Sequence, residues 1–501
     1  MKKVFKKIGA ALLGAVILSM VPVTALANED GSYTYNYDYW EDVQDSPDFY
    51  GVSKVFTSSD LGLEMNFKNP QGLYAYGNYL YVCDSGNNRI IKINRISPEK
   101  LEVVDIYDSF TGPVEVTTFS NPTDIAISER GDIFIADQGN ARILKLDSNF
   151  NYIMQFDKPV DNTLDPKTAF APNKIVIDTA DRVYCIAVGI NKGLIKYEND
   201  GTFSGFVGAT PVTYDWMDYI WKRFATQEQR AQMESFVPTE YDNIYIDQEG
   251  FIYAVSGSLD EEALDAEEAD AVRKLNLMGN DILIRNGDLP VYGDIYWGTG
   301  GGHTGPSYFS DVTVLDNDIY MCLDRNRGRV FAYDDQGNMV FAFGGNGNMD
   351  GYFRYPVSIE HIGHELYVLD SLDCAITTFV PTDFGNYVYT AVESFDEGDY
   401  ETAEYAWKEA MRLDGNYGLA YIGIGRSYLR QKRYKEALDY FELKYDAENY
   451  SKAYKQYRKE WVEDNIAIIV IIILLIFLVP MGIGKVKKLK REIDTADIFK
   501  E

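Results

Sequence analysis

The chain has 501 residues, with 77 acidic and 47 basic side chains and a net charge of −30. So acidic a surface repels nucleic acid phosphates and excludes that class of partner. The four cysteines are widely spaced with no CxxC, which excludes the common zinc-finger spacings, and they read as buried small hydrophobes.

In chain order, the first element is a basic, then apolar, then small-residue run, "MKKVFKKIGAALLGAVILSMVPVTALA". That order predicts a secretory signal over residues 1–27. Residues 28–48, which include "GSYTYNYDYWED", read as a Tyr-rich acidic linker dressing the surface of the adjoining domain. From Pro70 to Val380 the chain alternates apolar and polar residues in hairpin after hairpin. Six copies are readable: "GLYAYGNYLYVCD", "DIAISERGDIFIAD", "KIVIDTADRVYCIAV", "NIYIDQEGFIYAVSG", "DVTVLDNDIYMCLD" and "SIEHIGHELYVLD". The step is about 50 residues where undisturbed, a period typical of propeller blades. A blade cannot cover its own faces, so six copies predict a six-bladed β-propeller over residues 49–384. The early strand Tyr50–Ser58 is expected to close the ring by joining the last blade.

Three phrases repeat across these copies: "DSGNNRI" from Asp84, "DQGNARI" from Asp137 and "DRNRGRV" from Asp324. Each sets an Arg five residues after an Asp. An Asp that ends a strand accepts turn N–H groups, and Arg89, Arg142 and Arg329 are placed to pair back. The motif therefore reads as scaffolding. Together with the connector "FGGNGNMDGYFRYP", these phrases resemble the NHL-repeat family, over roughly Phe49 to Phe384. Blade three lacks the Asp–Arg phrase, blade six has Ala375 in place of Arg, and an acidic run, "SLDEEALDAEEADAV", interrupts blade four. "NGNMDG" from Asn346 spaces oxygens like a calcium loop, but Val357 stands where an EF-hand needs its Glu.

Related six-bladed propellers include lactonases of the gluconolactonase type, which hold a metal at the axis. Aligned blades place Gly72, Asp124, Lys174, Asn243, Asp311 and Ser358 on one axial ring. Asp124, Asn243 and Asp311 offer oxygens for calcium or another divalent cation. Lys174 opposes a metal there, and the ring shows no Glu ligand. A metal-dependent lactonase or lyase is thus the alternative to a chain with no cofactor and no catalytic residue. The histidines of "HIGHE", His361 and His364, fall in a turn, where they are expected to be solvated and without a role.

Two insertions carry aromatics. In "TYDWMDYIWKRF" Trp216, Ile220 and Phe224 recur every fourth residue, as on an amphipathic helix. "YGDIYWGTGGGHTGPSYF" joins Trp and Tyr to a run of glycines. Trp216, Tyr219, Trp221, Tyr296 and Trp297 are the expected contacts for a protein partner or a glycan.

After the propeller the period turns helical. "DYETAEYAW" and "RYKEALDYF" stand 34 residues apart, matching Tyr400 with Tyr434, Ala403 with Ala437 and Trp407 with Phe441. This resembles tetratricopeptide (TPR) repeats and predicts a helical stalk over 385–462. "IAIIVIIILLIFLVPMGIG" is uncharged over 19 residues, long enough to cross about 30 Å of hydrocarbon. This predicts a membrane span over 463–484, with a basic cytoplasmic tail at 485–501 and the large N-terminal part outside. The expectation is a single-pass bacterial surface protein, mainly β, that recognises or scaffolds rather than catalyses. Its partner is a membrane protein complex or a cell-surface glycan, and it serves as an accessory to a transport assembly.

Overall fold

A computed structural model describes residues 33–498 except 39, 162–163, 165–166, 209–240, 258, 260–262, 265–268 and 296–304. The predicted signal, the first aromatic insertion with Trp216, Tyr219 and Trp221, and Tyr296 and Trp297 of the second lie outside the described residues. The chain forms two compact units, Met1–Asn386 and Tyr387–Glu501.

The first unit is a six-bladed propeller. Blade I holds β4 (Gly72–Tyr76), β5 (Tyr79–Asp84), β6 (Arg89–Ser97) and β7 (Lys100–Tyr107). Blade II holds β8 (Pro122–Ile127), β9 (Ile133–Asp137), β10 (Arg142–Leu146) and β11 (Tyr152–Phe156). Blade III holds β12 (Pro172–Ile177), β13 (Val183–Ala187), β14 (Leu194–Tyr197) and β15 (Phe203–Val207). Blade IV shows three strands among the described residues, β16 (Asn243–Ile246), β17 (Ile252–Val255) and β18 (Val272–Leu275). Blade V holds β19 (Phe309–Val314), β20 (Tyr320–Asp324), β21 (Arg329–Tyr333) and β22 (Met339–Gly344). Blade VI holds β23 (Pro356–Ile362), β24 (Glu365–Asp370) and β25 (Ala375–Pro381), and it is completed by β3 (Tyr50–Thr57) from the front of the chain. The predicted closure is what pairs the two ends, with Thr57 opposite Ala375 and Tyr50 opposite Pro381.

Neighbouring blades share their apolar side chains, which is why the middle strands are greasy on both faces. Val82 packs with Leu369 and Ile376 of blade VI, while the next residue, Cys83, packs with Ile125 and Ile135 of blade II. Cys185 lies between blades II and III and Cys322 between IV and V. All four cysteines are free thiols, three of them buried and Cys374 partly exposed. A thiol reagent applied to the native chain should therefore label Cys374 and spare the other three; mass spectrometry of the labelled peptides checks this. Labelling of Cys83 or Cys322 without denaturant would contradict the packing.

The Asp–Arg phrase is structural in the first two blades. Asp84 accepts the Lys68 N–H, the Asn87 amide and Arg89 Nε, at 2.8, 2.8 and 2.7 Å. Asp137 repeats this with Ser120, Asn140 and Arg142 at 2.8, 2.9 and 2.9 Å. The residue before each Arg, Asn88 or Ala141, takes the left-handed conformation that ends a tight turn. Blade V departs from the expected pairing. Arg329 turns to Asp294, which Arg327 also reaches at 2.9 Å and which accepts the hydroxyls of Tyr35 and Tyr37. Asp324 is left to accept the N–H groups of Tyr308, Asn326 and Arg327.

Those tyrosines correct the linker reading of residues 28–48. β1 (Thr34–Tyr37) adds to the outer edge of blade V beside β22, and β2 (Val43–Asp45) pairs with β1. Tyr35 and Tyr37 are buried there because Asp294 accepts a hydrogen bond from each hydroxyl.

The second unit is helical: α1 (Asp383–Asp396, starting in the first unit), α2 (Tyr400–Leu413), α3 (Gly418–Arg430), α4 (Tyr434–Lys444) and α5 (Ala447–Ile498). Asp399 caps α2 by accepting the Thr402 N–H at 3.1 Å. Two glycines of α3 set the packing. A Cβ on Gly423 would strike the Trp407 ring of α2, and one on Gly425 the Phe441 ring of α4. α5 runs 52 residues without a break through Pro480. It is one helix long and apolar enough to cross a membrane.

Candidate functional site

The axial ring is built by a shared irregularity. Strands β8, β12, β19 and β23 each skip one residue just after they begin, at Pro122/Asp124, Pro172/Lys174, Phe309/Asp311 and Pro356/Ser358. A bulge re-aims the side chain next to it. Together with Asn243, which opens β16, these residues line one axial cavity of about 80 Å³. The alignment from sequence thus brings Asp124, Lys174, Asn243, Asp311 and Ser358 together. Gly72 completes the circle, since a Cβ there would lie 2.6 Å from the Thr123 carbonyl oxygen.

Glu360 lines the same cavity, which corrects the expectation that no Glu stands near the ring. Period-two alternation from Ser358 carries the signal, because positions 358 and 360 share a strand face.

Most polar groups of the ring are spent on neighbouring blades. Asp124 Oδ2 accepts the Ile175 N–H of blade III at 2.8 Å. Asp311 Oδ1 accepts from Asn243 Nδ2 of blade IV at 2.6 Å and from the Val312 N–H at 2.8 Å. Asp311 Oδ2 accepts from Ser358 Oγ and the Ile359 N–H of blade VI, at 2.6 and 2.8 Å. Ser358 Oγ meets the Leu73 peptide of blade I. Asn243 Oδ1 is taken by the Ile244 N–H. The result is a belt of hydrogen bonds binding blade to blade around the axis.

Charge follows from that geometry. Burial pushes Asp124 up to about 6, against the opposing pull of Lys174 and the Ile175 N–H. Burial also raises Asp311, again opposed by Lys174. Burial alone would lower Lys174, but Asp124 and then Asp311 outweigh it and hold the ammonium above its ordinary range. Burial, then Asp311 and Asp124, lift Glu360 well above an ordinary glutamate. Lys174, whose Nζ donates to the Gln71 carbonyl at 3.5 Å, thus offsets both carboxylates through space.

A divalent cation fits poorly here. Each oxygen of Asp311 already accepts two donors, Asn243 Oδ1 accepts another, and an ammonium shares the cavity. Among the described residues no group of three or more His, Cys, Asp or Glu is arranged to hold a metal. His361 is not a solvated turn residue either. It lies near the end of β23, with Nδ1 2.7 Å from Thr313 Oγ1, and burial pushes its pKa down to about 4.

No family model matches the chain. It is similar to the probable peptidyl-alpha-hydroxyglycine alpha-amidating lyase pgal-1 of Caenorhabditis elegans, 29% identical over 153 residues, 28% of this chain and 42% of that protein. The chain thus spans less than half the length of this curated relative. Among solved structures it is similar to a virginiamycin B lyase from Staphylococcus aureus, at 11% identity over 66% of this chain and 99% of that one, TM-score 0.38. It is also similar to a gluconolactonase from Xanthomonas campestris, at 8% identity over 63% and 86%, TM-score 0.37. The six-bladed ring rests on its strand pairings, not on these likenesses.

Proposed function

We propose that this chain is a membrane-anchored recognition and scaffold protein. An NHL-type propeller and a short TPR-like stalk bind a protein partner or a glycan outside the cytoplasm, beside a membrane transport assembly. The observation that carries this reading is the axial belt: the groups that would serve a metal-dependent lactonase are committed to joining blades. The cavity's size agrees, since about 80 Å³ is well below the roughly 300–1,000 Å³ of sites that enclose small organic ligands. The glycine–aromatic interlock of α2, α3 and α4 supports a TPR-like stalk. The apolar run in α5, with Lys485, Lys487, Lys488, Lys490 and Arg491 after it, supports an anchor with its tail inside.

Lyase chemistry is the second reading. It is favoured by the similarity to the amidating lyase and by Glu360, a buried carboxyl with a raised pKa in the same cavity as Lys174, a candidate proton donor. Crosslinking in the native membrane separates the two. We expect the intact chain to yield a reproducible attached protein or glycan. The Trp216→Ala, Tyr219→Ala, Trp221→Ala, Tyr296→Ala and Trp297→Ala chain should lose it while keeping its unfolding transition. Capture unchanged in that variant would overturn the contact assignment, and no adduct from the intact chain would overturn the scaffold reading.

A further inference from the structure

A larger cleft of about 690 Å³ opens away from the axial cavity, among blades IV, V and VI. Its lining, which includes Tyr308, Arg325, Asn326, Asn346, Arg354 and Tyr355, comes from the connectors between strands. Arg325 is the unusual member. Its guanidinium carbon lies 4.1 Å from the centre of the Tyr308 ring and 5.1 Å from that of Tyr355. Two aromatic faces hold the fork in place without using up its charge. The arginines around it are paired: Arg327 and Arg329 with Asp294, and Arg354 with Asp373 at 3.2 Å. Arg325 pairs with no carboxylate among the described residues. Asp242, an acid bonded to the cleft wall, is taken by the Tyr308 hydroxyl and the Gly257 N–H.

We infer that this cleft binds a carboxylate-bearing saccharide, with Arg325 taking the carboxylate. The inference deepens the recognition reading above by naming a ligand class for the propeller, and it rests on that reading. A planar guanidinium fixed by stacking matches a carboxylate bidentately. Tyr355, 43% exposed, offers a surface for a sugar ring. Asn346, whose Nδ2 is held by the Asn326 carbonyl, adds a polar side chain to the wall. The volume falls within the range of sites that enclose small ligands. A peptide is the weaker occupant, because the lining offers no strand edge for main-chain pairing.

The test is calorimetric titration of the full chain in detergent with tri-galacturonic acid, its methyl ester, and an N-acetylated tri-alanine with a free carboxylate. We expect the acid to bind and the ester, which keeps the sugar and loses the charge, to bind at least about tenfold more weakly. Arg325→Gln should weaken the acid by roughly ten- to a hundredfold. Tyr355→Ala should weaken both acid and ester, and the acid more, because Tyr355 also steadies Arg325, with the unfolding transition kept in both variants. Equal binding of acid and ester, or an Arg325→Gln chain that binds normally, overturns the inference. Binding of the peptide alone replaces the saccharide with a peptide and overturns it too. No binding of any probe, with crosslinked partners still recovered, sinks the cleft and leaves the recognition reading standing.

Discussion

Replacing Lys174 with methionine should cost the propeller about 1–3 kcal/mol at pH 7.5, because two buried carboxylates lose the ammonium that offsets them through space. Methionine keeps the length of the stem, so the loss reports the charge rather than a hole. Asp124 and Asp311 would remain buried without the ammonium that offsets them. The pH dependence identifies the cause. Asp124 titrates near 6 in the folded chain, above an ordinary aspartate, so it contributes stability that is fully present below about pH 4 and is lost as pH rises through 6. Without the ammonium, both carboxylates move further up and gain more from acid. The intact chain, meanwhile, is left with a buried ammonium once its carboxylates are protonated. The gap between variant and intact chain should therefore close as pH falls to 4. Urea unfolding of the full chain at pH 4 and pH 7.5 measures it. An equal deficit at both values would mean that Lys174 acts by packing and not as a counter-ion.

Phe56→Ala should cost about 3–5 kcal/mol by leaving a cavity in the core, and removal of Tyr50–Thr57 should abolish cooperative unfolding. Phe56 is fully buried on β3, opposite Ile376 and packed with Leu73, Tyr367 and Leu369. β3 is the fourth strand of blade VI and also a wall of the junction with blade I. Its loss exposes the edge of β25 and one face of each neighbouring blade. Near-UV circular dichroism through a urea series reads both variants. A deletion chain that still unfolds in one sharp step would show that the ring holds without its clasp.

What the sequence revealed was whatever repeats locally. Hairpins with a fixed step gave the blades, and aligning them gave the axial ring, because each inner strand begins at an equivalent place. Glu360 was also legible in principle, two positions beyond Ser358 on the same strand. Other features depend on partners far along the chain. The Tyr-rich start looks like a linker until β22 and Asp294 are seen to receive it. Arg329 looks like Arg89 and Arg142 until Asp294, from an irregular connector, draws it away. The Arg325 cleft comes from the ends of three blades, and connectors have no period to read.

Closing the wheel with β3, which precedes all six blades in the chain, also sets an order of events. Lys54 donates its N–H to Thr378, 324 positions later. The segment that seals the ring is made before any of the blades, and its partner is the last of them. Contacts this distant form late and slowly. Until β25 emerges, a nascent chain must keep β3 unpaired and shielded from other strand edges. A stall at any blade therefore leaves the same sticky strand exposed, and assembly of the wheel is decided by the completion of its final module.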